Sequence, residues 1–113
     1  MSEQLNIVMA QLNFLVGDIE GNTELIVTSA RRAADEFAAD VVVFPELALT
    51  GYPPEDLLLR PSLKLRVEKA LQRILQENLD PILVIGYPES TGDEVYNSLV
   101  VTQQGHIAAK YRK

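Results

Sequence analysis

Apolar and polar positions alternate along this chain in two different rhythms, and the switches between them mark the elements. Leu5 to Leu12 is mostly apolar and β-branched, which predicts a strand. The turn-forming run GDIEGN, Gly17 to Asn22, follows, with Asn22 as the expected helix N-cap. Ile26, Ala30, Ala33 and Phe37 then recur at spacings of four, three and four, one face of a helix. Asp40 to Phe44 is short and continuously apolar, the pattern of a strand covered on both faces. GYPPEDLLLRP reads as a loop, with one helical turn opened by Pro53 and Pro54. A second amphipathic helix is marked by Leu63, Val67, Ala70, Leu71 and Ile74. Pro81 to Tyr87 is a third buried strand, and STGDE a turn. Val95 to Thr102 and His106 to Tyr111 form a hairpin joined at QQG. The order β-α-β-α-β-β-β predicts an α/β domain with helices packed on a mixed sheet.

The pattern stops inside an element. HIAAKYRK ends in alternating strand rhythm with no turn, tail or closing helix, which predicts a fragment or a sheet completed by another chain. Within 113 residues there is room for one domain at most, and no repeat or linker divides it. Hydrophobic residues are 47% and charged residues 23%, ordinary for a soluble globular chain. The net charge of −6 disfavours phosphate backbones and anionic lipid, so neither nucleic acid nor membrane is expected as a partner. No segment approaches the ~20 apolar residues of a membrane helix, and no signal peptide opens the chain; a cytoplasmic protein is expected. Cysteine is absent, which rules out disulfides, thiolate metal sites and a cysteine nucleophile within these residues.

Candidate chemistry centres on VVVFPELALTGYPPEDLL. Pro45 ends regular pairing, and Glu46 falls just past the carboxyl end of a strand, where open α/β sheets gather their ligands. Loss of hydration beside so much apolar surface would raise its pKa toward proton-transfer duty; the competing role is a structural carboxylate bonded to backbone amides. Lys113, alone, is a solvated terminal lysine. Set next to a glutamate, it could steady charge developing on a substrate oxygen. Lys110 and Arg112 alternate with Tyr111 and Lys113, so at most one pair faces inward. Tyr52 either lines a substrate pocket or packs on the sheet. Asn97 and Ser98 either fix the Glu46 carboxylate or are ordinary strand residues. Ser98 lacks a histidine base for service as a nucleophile, and His106 belongs to a surface turn. Glu55 and Asp56 complement a short helix's dipole, and the charges between Lys64 and Glu77 form a solvated face.

FPELALTGYPPEDLL, YNS at Tyr96–Ser98 and KYRK together resemble the nitrilase, or carbon-nitrogen hydrolase, superfamily. GYPPEDLLLR is most similar to the glutaminase domains of glutamine-dependent NAD synthetases. The resemblance spans nearly the whole chain. It implies that residues 1–113 are a partial glutaminase domain, the first half of a four-layer α-β-β-α sandwich, whose open sheet face would make the isolated chain associate. It implies a Glu-Lys-Cys triad with Glu46 as general base, Lys113 as the cation near the tetrahedral intermediate, and the cysteine on a later turn beyond this sequence. The 113-residue chain alone is therefore expected to be inactive. The implied partners are glutamine, a C-terminal synthetase domain and further copies of the chain. ATP and Mg would serve that second domain, since no glycine-rich phosphate loop occurs here. A stand-alone amidase acting on another small amide, or a non-catalytic assembly module, remain the alternatives.

Overall fold

The computed structural model describes residues 4–51, 60–92 and 94–112. In chain order these form β1 (Ile7–Met9), α1 (Ile19–Phe37), β2 (Val41–Val43), α2 (Pro61–Gln76), β3 (Ile82–Thr91), β4 (Glu94–Gln103) and β5 (His106–Arg112). The element order is the one the hydrophobic rhythm predicts. The sheet is mixed and runs β1-β2-β3-β4-β5. The first three strands are parallel, and β4 and β5 join antiparallel. Because β1, β2 and β3 lie side by side in chain order, the two crossover helices fall on one face of the sheet, where they touch each other.

That face holds the core. Ile26, Ala30 and Ala33 of α1 and Leu63, Val67 and Ile74 of α2 pack with Val42, Leu83, Ile85 and Val100 of the strands. Each large aliphatic side chain buried this way contributes about 1.5–3 kcal/mol before entropic costs. Phe37, the final helical residue, is 59% exposed, so the buried stripe ends one turn before α1 does. Helix α1 then stops on Ala38 in the left-handed region (φ 50°), with the Ala39 N–H donating to the Ala33 carbonyl at 3.1 Å.

The opposite face is open. The register aligns Ile7 with Val41 and Ile82, and Met9 with Val43, Val84, Val101 and Ala109. Ile7 is 54% and Met9 65% exposed, and Val41 and Val43 are only half-buried. The apolar run of β2 thus meets a helical cover on one side alone among the described residues. Strand β1 is shorter than its apolar run because its partner β2 offers only three residues. Strand β3 runs past Pro88, since beyond Val84 it has a strand neighbour only in β4 and one edge is free of the ladder.

Asn22 does not cap α1; Asp18 does, its side chain accepting from the Gly21 N–H. Asn22 lies in the first turn, 1% exposed, and works across the chain instead. Its Nδ2 donates to the carbonyls of Leu15 (2.8 Å) and Leu49 (3.2 Å), and its Oδ1 accepts from the Leu15 N–H (3.0 Å). Asn22→Ala removes all three bonds and strands a buried carbonyl, an expected loss of about 2 kcal/mol. The midpoint of urea unfolding checks this; an unchanged midpoint would show the three bonds to be energetically idle.

Candidate active site

The site begins where β2 runs out. The Phe44 N–H still reaches the Val84 carbonyl at 3.0 Å, but Pro45 has no N–H to continue the ladder. The chain turns over residues 46–50, with Ala48 N–H donating to the Pro45 carbonyl (3.1 Å) and Leu49 N–H to the Gly86 carbonyl (3.2 Å). Leu47 sits in the left-handed region at φ 53°, uncommon for a branched side chain and a sign that its surroundings over-determine the turn. Those surroundings are dense. Leu47, Ala48, Leu49 and Thr50 are all buried, and Asn22 holds the Leu49 carbonyl from α1. The turn also lies directly on β3: a Cβ at Gly86 would fall 2.5 Å from the Leu47 nitrogen and 3.2 Å from the Glu46 Cα. Gly86 is therefore part of the site, and its lone position inside the apolar run ILVIGY is the signal that marks it.

Glu46 is exposed at the rim of a cavity of about 250 Å³. Val43, Pro45, Val84, Leu99 and Tyr111 line this cavity with Glu46 and Asn97. The Asn97 Nδ2 donates a hydrogen bond to Glu46 Oε1. Asn97 belongs to β4, opposite Pro88, so 51 residues of chain separate the two partners. Of the pair singled out in YNS, the structure brings the Asn97 side chain to Glu46, whereas Ser98 borders the same cavity but directs its hydroxyl elsewhere. Ser98 Oγ donates to Glu89 on the helix-covered face at 3.1 Å. The exposure of Glu46 also corrects the expected desolvation: the open face of the sheet leaves its carboxylate in reach of water.

The alternation of β5 is resolved up to its last described residue. Tyr111 lines the Glu46 cavity, whereas Arg112 points to the other face, its Nε 2.7 Å from Glu89 Oε1 and its guanidinium 4.7 Å from the Tyr96 ring centroid. Lys110 shares that other face beside Glu89. Tyr52, Lys113, Glu55, Asp56 and the predicted turn at Pro53 and Pro54 lie outside the described residues. His106 is exposed, as expected of a surface residue, at the first position of β5 just after the turn.

The Arg112 hydrogen bond, followed by that from Ser98, holds the Glu89 carboxyl below its usual range against the opposing effect of burial. A carboxyl with a depressed folded pKa stabilises the fold above its unfolded value and loses that contribution as pH falls through the folded one. Stability of the wild type is therefore expected to decline faster below about pH 4.5 than that of Glu89→Gln. Denaturation midpoints across that window read the difference, and parallel curves would show the pair to be neutral.

Residues 4–113 match the carbon-nitrogen hydrolase family. The glutamine-dependent NAD(+) synthetase of Xanthomonas campestris pv. campestris is 50% identical over 109 residues, a match covering 96% of this chain and 20% of that protein. The chain thus spans about a fifth of the length of the curated relatives it matches. Among solved structures, the glutamine-dependent NAD+ synthetase from Acinetobacter baumannii superposes with a TM-score of 0.86 at 38% identity, covering 95% of this chain and 20% of that one. A variant of the amidase from Nesterenkonia sp. AN1, solved after Michael addition of acrylamide at its active site cysteine, gives 0.83 at 25% identity, covering 97% and 44%.

Proposed function

Because this chain belongs to the carbon-nitrogen hydrolase family, we propose that it is the N-terminal part of a glutamine-dependent NAD synthetase and builds one side of its glutaminase site. The observation that carries the reading is the junction of Glu46 and Asn97 over an apolar-walled cavity. The synthetase reading is supported over the amidase one by the half of the residues shared with the Xanthomonas synthetase, against a quarter with the solved amidase.

In this reading Glu46 is the general base. It takes the proton of a cysteine thiol supplied by chain beyond these residues, and the thiolate attacks the glutamine carboxamide carbon. As the C–N bond breaks, Glu46 returns the proton to departing ammonia; water then cleaves the thioester, with Glu46 accepting its proton. Lys113 supplies positive charge where the carbonyl oxygen becomes an oxyanion. The alternation of β5 supports that role, since Tyr111, two residues earlier, lines the cavity. Tyr52 contributes to the substrate pocket. ATP and Mg belong to the synthetase domain. The present residues do not suit them: the sequence has no phosphate loop, and among the described residues no group of three His, Cys, Asp or Glu could hold a metal. No step here runs through them. The site works in the cytoplasm; among the described residues no helix is long and apolar enough to cross a membrane. The open sheet face, with Ile7, Met9 and Tyr111 exposed, is the surface that the rest of the enzyme and further copies of it would cover.

The complete protein, given deamido-NAD, ATP and Mg, is expected to form NAD with either glutamine or free ammonia as nitrogen source, whereas the 113-residue chain alone hydrolyses nothing. Ammonia release from other small amides without NAD formation would select the amidase instead. Silence in both assays would leave the assembly module.

A further inference from the structure

We infer that Asn97 is a positioning residue for Glu46, orienting the carboxylate without taking part in its proton traffic; its catalytic consequence rests on the glutaminase reading. The two residues are held to different standards by the fold. Asn97 sits within the nine-pair ladder joining β3 to β4, so its backbone is anchored on a strand. Glu46 stands on a turn with its side chain exposed, so the orientation of its carboxylate is set by the polar groups that reach it, the Asn97 amide among them. The backbone beneath it lies closely on Gly86 of β3. The hydrogen bond from Asn97 Nδ2 to Oε1 extends the order outward to the reacting oxygens.

The residue type suits this task. An amide N–H donates and does not ionise, so it orients the carboxylate in every protonation state without competing for the proton. A carboxylate in its place would share that proton. Ser98, the next residue, shows that the placement is register-specific, since strand alternation sends its hydroxyl through the sheet to Glu89.

In the complete enzyme, Asn97→Ala is expected to lower kcat for glutamine hydrolysis by roughly 10²-fold with KM little changed, the signature of a misplaced catalytic group. Loss of the donor also moves the acid limb of the kcat profile to higher pH, and the isosteric Asn97→Asp moves it further through like-charge repulsion. Wild-type kcat and an unmoved acid limb in both variants would overturn the inference. A crystal structure of Asn97→Ala gives a second reading independent of turnover: the Glu46 carboxylate is expected to leave its wild-type orientation, and an unmoved carboxylate refutes positioning outright. Should the wild-type enzyme release no ammonia from glutamine, the glutaminase reading fails, while a displaced carboxylate would still establish the Asn97 role.

Discussion

Replacing Glu46 with glutamine in the complete enzyme is expected to lower ammonia release from glutamine by roughly 10²–10⁴-fold, the usual contribution of a positioned general base. The substitution is chosen because it changes little else. Glutamine keeps the length of the side chain, and its amide oxygen still accepts from Asn97 Nδ2. What it lacks is a group that can remove a proton from a thiol. NAD formation from free ammonia should be unaffected, because that route bypasses the glutaminase site. The pair of assays is therefore its own folding control. Undiminished release of ammonia from glutamine would remove Glu46 from the mechanism; loss of both activities would indicate a damaged fold rather than a missing base.

Gly86→Ala is expected to cost about 3 kcal/mol of stability, the upper part of the range for overpacking, and to impair glutamine hydrolysis in whatever enzyme still folds. The new Cβ would meet the Leu47 backbone nitrogen at 2.5 Å. A flexible side chain could rotate away from such a contact, but a peptide nitrogen cannot. Leu47 is already in the left-handed region and fully packed, so the turn has nowhere to retreat except outward. That movement carries Glu46 with it and stretches the Leu49-to-Gly86 hydrogen bond. Calorimetric melting and glutamine turnover on the same sample test both halves. A fully stable and active variant would mean that the turn is softer than its packing implies.

The parts of this protein that were legible in sequence are those governed by local periodicity. Ile26, Ala30 and Ala33 are buried on α1, and Leu63, Val67, Ala70 and Ile74 on α2, because a 3.6-residue repeat declares which face meets the sheet. Phe37 fits the same repeat and yet is exposed, since periodicity does not say where the supporting sheet ends. Pro45 marked the end of β2 and Glu46 the position beyond it, both through general properties of proline and of open α/β sheets. The work of Asn22 was not legible. Asn and Asp are equally good caps, and nothing local distinguishes Asp18, which caps, from Asn22, which bridges residues 15 and 49. Gly86 left a trace, a glycine alone in an apolar strand, whose meaning appears only when the turn is laid over it. Asn97 and Ser98 could be singled out together, but choosing between them required knowing which side of the sheet each occupies.

The side taken by the end of β5 depends on one irregularity. The pairing of β4 with β5 slips between Val101 and Thr102, which face Ala109 and Ile107, so Ala108 has no counterpart across the ladder. In an uninterrupted ladder continued from the hairpin turn, Leu99 would face Lys110 and Ser98 would face Tyr111. Cations would then crowd toward Glu46, and the aromatic ring would turn to Glu89. Ala108 thus acts as a phase shifter: left unmatched, it sets the polarity of everything downstream on the strand, and pairing it into the ladder would exchange the chemical identities of the two surfaces with no change of sequence, whereas deleting it would keep the present faces.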